Sequence, residues 1–291
     1  MELIATIDVG NTLGECVLWC ARSRSVWWTD IEARTLYRLC WESRRLERFQ
    51  TPERLCSFGF TAEPGKLIAA FESGFALYDA PSGGITWIAR PLHPGIRLND
   101  GRVDREGRFW AGSMAEDPAH AGEGQLFCLN SGLHVREEGL TISNSICWSP
   151  DGAWFYFADS AARTIWRYAF DSATGAISDK AIFAQTPEGV LPDGSVTDAA
   201  GFLWNAQWGA GRVARYAPDG RLDRLVDLPA RQPTCVAFGG PDLNHLIVTS
   251  ARAGLASGGR SVDGSLFIFH TSYAGLPETE YRTRDIRQPI A

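Results

Sequence analysis

Six strand-like runs recur along this chain at intervals of roughly 41 to 48 residues. They are Val26-Trp-Trp-Thr-Asp, Leu67-Ile-Ala-Ala-Phe, Phe109-Trp-Ala-Gly-Ser, Phe155-Tyr-Phe-Ala-Asp, Leu203-Trp-Asn-Ala-Gln and Leu246-Ile-Val-Thr-Ser. Each is followed by a second run, such as Thr35-Leu-Tyr-Arg-Leu or Thr164-Ile-Trp-Arg-Tyr, that ends in a polar turn. The interval is that of a four-stranded propeller blade. Turn signals such as Pro150-Asp-Gly, Asp198-Ala-Ala-Gly and Pro218-Asp-Gly punctuate the runs, and no 3.6-residue periodicity is sustained, so the chain reads as all-β. Six units predict a six-bladed β-propeller, in which radial repetition leaves few open edges. The ring must still be closed. Leu3-Ile-Ala-Thr-Ile precedes the first unit and is expected to form the outer strand of the last blade. A single domain over 1–291 is expected, with the tail at 284–291 peripheral and disordered.

Bulk properties narrow the partners. Apolar residues make up 45% of the 291, enough for a large core, and the net charge of -6 comes with scattered Lys and Arg. Nucleic acid and anionic membrane are therefore not expected as partners. Seven widely spaced cysteines without a Cys-x-x-Cys pair read as buried free thiols in a reducing compartment. Met1-Glu-Leu-Ile-Ala-Thr-Ile-Asp lacks the basic and apolar regions of a signal peptide, so a cytoplasmic location is expected.

A polar station repeats at one register. Counting back eight residues from a turn glycine leads from Gly107 to Asn99, from Gly152 to Asn144, from Gly201 to Asp193 and from Gly65 to Ser57. In the first unit the nearest candidate is Glu15, slightly out of register, and in the sixth it is Thr234. In a propeller this position opens the innermost strand, beside the central channel. Taken alone, Leu98-Asn-Asp-Gly reads as a hairpin turn and Pro192-Asp-Gly as an ordinary turn tripeptide. Their shared register argues for a site on the axis. Carboxylate and amide oxygens suit Ca²⁺, Mg²⁺ or Mn²⁺ and also accept Zn²⁺. Arg97 lies two residues before Asn99, on the same face of an extended strand, where its guanidinium can hold ligand oxygens. Asp100 either orients Arg97 or caps the turn. Glu116 follows a strand near the mouth and is read either as an acceptor for sugar hydroxyls or as a solvated loop acid. The five histidines show no paired ligand spacing, and no Gly-x-Ser-x-Gly elbow or nucleotide-binding fingerprint is present.

At these residues the chain resembles the SMP-30/gluconolactonase family. The matching segments are Leu13-Gly-Glu-Cys, Arg97-Leu-Asn-Asp-Gly-Arg-Val-Asp, Phe109-Trp-Ala-Gly-Ser-Met, Ile142-Ser-Asn-Ser, Pro192-Asp-Gly-Ser and Phe238-Gly-Gly-Pro-Asp-Leu. The resemblance implies a six-bladed propeller with one divalent ion (Ca²⁺, Zn²⁺, Mn²⁺, Mg²⁺ or Fe²⁺) in its channel. It places metal ligands at Glu15, Asn144 and Asp193, and substrate contacts at Arg97 and Asn99. It further implies hydrolysis of a sugar lactone to its aldonic acid, with the metal polarising the carbonyl and Asp193 as general base. Arg97, Asn99 and Glu116 would hold the sugar. Two positions depart from the family pattern. Cys16 and Val17 follow Glu15 where Gly-Pro is usual, and Ser145 follows Asn144 where glycine is typical. Rival readings are a metal-dependent esterase or organophosphatase on the same ring, and a non-catalytic calcium-binding propeller.

Overall fold

Buried aromatic runs and polar turns resolve into six antiparallel sheets of four strands each, in a computed structural model that describes residues 1–255 and 262–282. The tail expected at 284–291 lies outside the described residues. Strands are numbered along the chain. The first blade runs outward from β2 (Gly14–Cys20) through β3 (Ser25–Asp30) and β4 (Thr35–Cys40) to β5 (Leu46–Gln50). The next four blades repeat this order: β6 (Leu55–Phe60) to β9 (Gly84–Ala89), β10 (Ile96–Val103) to β13 (Leu133–Leu140), β14 (Ser143–Trp148) to β17 (Ala176–Gln185), and β18 (Leu191–Thr197) to β21 (Leu222–Asp227). The sixth blade holds β22 (Pro233–Gly239), β23 (His245–Ser250) and β24 (Leu266–His270). β1 (Glu2–Ile7) completes it, antiparallel to β24, with Leu3 opposite Phe269 and Ile7 opposite Leu266. The expected closure by the N-terminal strand is thus observed. Each inner strand touches the inner strands of both neighbouring blades, so β2, β6, β10, β14, β18 and β22 form a closed ring. No helix among the described residues is long and apolar enough to cross a membrane.

The core lies between blades, which explains the side-chain pattern. β3 is buried along its whole length because both its faces meet protein, whereas the outer strand β21 is mostly exposed. Tryptophans fill the seams. Trp110 packs with Trp148 at 5.9 Å and Phe155 at 5.2 Å between the third and fourth blades, and Trp204 meets Phe238 at 5.8 Å between the fifth and sixth. Two of these indoles are anchored by turn acids. Trp110 Nε1 donates to Asp104 and Trp204 Nε1 donates to Asp198, each at 3.0 Å. The same acids accept backbone N–H groups of their turns, which close on Gly107 at φ 80° and Gly201 at φ 84°.

The turns between inner and second strands mark one end of the channel. Across that end runs the segment 271–282, where Ala199 N donates to Ala274 O, Tyr281 N to Phe60 O and Arg282 N to Gly107 O. Glu278 of this segment lies 3.5 Å from Arg102, and both line a cavity of about 40 Å³. The polar station lies at the opposite end.

Candidate active site

Every inner strand carries one extra residue near that station. Pairing with the second strand shifts between Glu15 and Leu18, Leu55 and Ser57, Leu98 and Gly101, Asn144 and Cys147, Pro192 and Ser195, and Pro233 and Val236. A bulge breaks the two-residue alternation of a strand and re-aims its side chains. The strand entrances are held by acids from the second strands. Asp30 accepts the N–H groups of Thr12 and Leu13 at 2.8 and 3.0 Å, ahead of Glu15. Asp159 does the same for Thr141 and Ile142, ahead of Asn144.

Glu15, Asn144 and Asp193 are all buried. Asn144 Nδ2 donates to Ser160 Oγ at 2.8 Å, so the orientation of the amide is set. Among the described residues, its Oδ1 is left with a single long contact, 3.4 Å from Asn99 Nδ2. The backbone carbonyl of Asp193 accepts from Ser145 Oγ at 2.5 Å and Asn205 Nδ2 at 2.9 Å, which fixes that strand while the carboxylate stays free of them. Burial and repulsion from Asp100 push the Glu15 carboxyl up to about 8. Burial, then Glu15, then Asp100 hold the Asp193 carboxyl well above the usual range. Asp100 is itself raised by loss of hydration, although Ile146 N donates to its Oδ2 at 3.0 Å. Three acids that oppose one another's ionisation, beside an amide oxygen, fit a divalent cation in donor chemistry and charge.

Arg97 and Asn99 are brought together as expected: Arg97 Nη1 donates to Asn99 Oδ1 at 2.7 Å. Asn99 Nδ2 in turn donates to Ser143 O at 2.9 Å, which ties β10 to β14. The charge of Arg97 partly offsets the repulsion felt by both Glu15 and Asp193. Arg97 also lines a cleft of about 500 Å³ with Arg34, Glu53, Glu72, His93 and Glu116. It therefore connects the cleft to the axial acids. Glu116 lies 3.6 Å from Arg97 Nε, and Arg54 grips both its oxygens at 2.7 and 3.0 Å. The two unassigned ring positions differ. Thr234 Oγ1 donates to Gly14 O and braces β2 beside Glu15, whereas Ser57 Oγ is buried without a hydrogen-bond partner among the described residues.

A family profile described as SMP-30/Gluconolactonase/LRE-like region matches residues 13–252, which includes every residue of this site. The chain belongs to that family. The L-arabinolactonase of Azospirillum brasilense is 38% identical, over 94% of this chain and 93% of its own. The 6-deoxy-6-sulfogluconolactonase of Pseudomonas putida is also 38% identical, over 83% and 84% of the two chains. Among solved structures, a protein from Agrobacterium tumefaciens described as a calcium-binding protein, regucalcin, superposes with a TM-score of 0.91 at 33% identity, over 97% of this chain and 98% of that one.

The two departures from the family's glycines fall where the backbone favours glycine. Cys16 has φ 48° and Ser145 φ 63°, both in the left-handed region. Each non-glycine residue has found a partner there. Cys16 Sγ accepts Phe58 N at 3.3 Å, and Ser145 Oγ braces the Asp193 carbonyl while receiving Asn205 Nδ2 at 3.2 Å. Asp100 is the site residue that sequence reasoning left undecided. In a regular strand it would face away from Asn99, and only the bulge at 98–101 lets its charge reach the axis.

Proposed function

We propose that this family member hydrolyses the ring ester of a sugar lactone to the aldonic acid, using one divalent ion held by Glu15, Asn144 and Asp193. The observation that carries this reading is the buried axial cluster of mutually repelling acids beside the Arg97–Asn99 pair. The lactonase names of relatives at 38% identity support the substrate class. Seven free cysteines suit a reducing, cytoplasmic setting.

A divalent ion bound at this cluster supplies Lewis-acid polarisation and a lowered pKa for water. The protein's own part begins with Asp193. Burial, Glu15 and Asp100 raise its carboxyl, which makes it a stronger proton acceptor than an ordinary carboxylate once ionised. The water oxygen bonds to the lactone carbonyl carbon as its proton passes to an Asp193 carboxylate oxygen. The ring carbon–oxygen bond then breaks, and the leaving oxygen takes the proton back to give the free hydroxy acid. Arg97 and Asn99 hold substrate oxygens at the channel mouth, and Glu116, fixed by Arg54, accepts from a hydroxyl. Burial of Arg97 and Asn99, and the grip of Arg54 on the exposed Glu116, keep these groups oriented before the substrate arrives.

Asp193→Asn tests the reading. Loss of the base is expected to lower lactone turnover by about 10²- to 10⁴-fold with the fold retained by circular dichroism. Turnover near the parent rate, with metal bound, overturns it. A panel of five- and six-carbon lactones, aryl esters and phosphotriesters in a pH-indicator assay separates a lactonase from a general esterase or organophosphatase. The all-oxygen donor set and the calcium-binding description of the Agrobacterium tumefaciens regucalcin favour one second reading, a calcium-binding protein without turnover. Calcium binding with no acid release across the panel would establish it.

A further inference from the structure

We infer that His93, His120 and Glu123 form a second metal site on the rim of the cleft, for a borderline dication such as Zn²⁺. The site is separate from the axial cluster and does not depend on the lactonase reading. Sequence spacing concealed it, because the two histidines lie on different connections. His93 is in the segment leading into β10. His120 ends a short 3₁₀ turn, Pro118–His120, after β11 (Phe109–Ala115). The fold brings the segments together. Glu116 N donates to Gly95 O at 2.9 Å, and the His120 ring lies against Gly95, where even a Cβ would come within 2.4 Å of it.

One Glu123 oxygen, Oε2, is 2.9 Å from His120 Nδ1 and 3.3 Å from His93 Nε2. All three ligand atoms lie within 4.8 Å of one another. Around a tetrahedral Zn²⁺ with bonds of about 2.0–2.1 Å, ligand atoms stand roughly 3.3 Å apart, so small adjustments suffice. The oxygens on either side of the His93 ring favour a cation there. Its Nδ1 faces Pro94 O at 3.1 Å and its Nε2 faces the Glu123 carboxylate. Both oxygens only accept, and a neutral imidazole carries a single N–H. A neutral ring therefore leaves one lone pair against an oxygen. A metal resolves the conflict: Nδ1–H donates to Pro94 O, and Nε2 turns its lone pair to the ion. A ligating histidine commonly uses its other nitrogen in this way. Two imidazoles and one carboxylate select a borderline ion over Ca²⁺. The side chains are 54%, 35% and 45% exposed, which leaves the fourth position to water and the ion exchangeable. His93 and Gly95 line the same cleft as Arg97 and Glu116, so a bound ion would staple together the two connections that flank it.

The experiment is Zn²⁺ equilibrium dialysis of EDTA-stripped protein carrying Glu15→Gln and Asp193→Asn, which removes the axial carboxylates. One equivalent is expected to remain. Adding His93→Ala or Glu123→Gln is expected to weaken it by more than about tenfold. On the unsubstituted protein, Co²⁺ is expected to broaden the imidazole proton resonances of His93 and His120 and to leave those of His134 sharp. Retention of the equivalent after either rim substitution, its absence from the axial variant, or unbroadened His93 and His120 resonances overturns the site. A merely protonated His93 would give this last result.

Discussion

Removing a buried, hydrogen-bonded side chain normally weakens a protein, but Glu15→Gln is expected to strengthen this one when no metal is present. The Glu15 carboxyl is raised from its usual 4.5 to about 8, first by burial and then by Asp100. Between those two values the folded chain holds a proton that the unfolded chain has released. The folded state thus binds more protons, and stability falls as pH rises through this window. At about 1.4 kcal/mol per pH unit, the cost at pH 7 is about 3 kcal/mol. At pH 5 it is below about 1 kcal/mol. The substituted glutamine avoids the cost, and its amide oxygen can still accept the Cys16 N–H that Glu15 accepts at 3.1 Å. The assay is urea and thermal unfolding followed by tryptophan fluorescence, in EDTA, from pH 5 to 8. The variant is expected to be more stable by up to about 3 kcal/mol at pH 7, roughly 6 °C in Tm, and to show a flatter pH profile. With saturating divalent ion the gap should narrow or reverse, because a neutral amide is a poorer ligand than a carboxylate. A variant no more stable than its parent in EDTA at pH 7, or one with an unchanged slope, refutes the reasoning.

Three further outcomes are expected. Ser145→Ala keeps the left-handed φ of 63° and loses the hydroxyl that braces Asp193, whereas Ser145→Gly loses the hydroxyl but not the backbone ease; the glycine variant should be more stable than the alanine variant by about 1 kcal/mol in urea unfolding, and the reverse order sinks the strain argument. Cys20 and Cys40 should react with Ellman's reagent in the native protein, Cys40 first because hydrogen bonds from Ser43 lower its thiol, while buried Cys16, Cys56, Cys128, Cys147 and Cys235 wait for unfolding. Asp198→Ala strips a buried partner from Arg215, held at 2.7 Å, and from Trp204 Nε1, so chemical denaturation should report a loss of about 3–5 kcal/mol; a loss below about 1 kcal/mol would contradict this.

The repeat was legible because each blade spends its aromatic residues in the same place, the seam between sheets. Trp110 and Trp204 occupy equivalent seams and lean on equivalent turn acids, so the sequence interval and the structural interval coincide. The ring closure was legible for a topological reason: Leu3–Ile7 had no other blade to join. The Arg97–Asn99 pairing was legible because a two-residue step puts both side chains on one face. Asp100 was not, since its charge reaches the axis only through an extra residue in β10 that no local pattern announces. Glu15 looked out of register because its blade has no turn glycine to count from: Arg24, at φ 44°, takes the left-handed position in that turn. The His93–His120–Glu123 cluster was hidden because proximity across two connections leaves no trace in spacing.

These features share one physical origin. Six equivalent strands each place a bulge at the same end of the channel, so symmetry supplies positions while the residues there decide the chemistry. Acids stand on alternate blades, at Glu15, Asp100 and Asp193, and meet across the axis, whereas Thr234 braces a strand and contributes no charge. Such a cluster opposes folding unless a cation joins it, and left-handed Cys16 and Ser145 add backbone strain beside it. The interblade core can bear that cost, and a ligand can return part of it. Binding at about a hundred times Kd contributes about 2.7 kcal/mol of stability. That is close to the roughly 3 kcal/mol that Glu15 costs the metal-free chain at neutral pH. On this account the ion belongs to the balance of the fold as well as to the reaction, and the loaded protein is about as stable as one in which the buried carboxylate had never been placed.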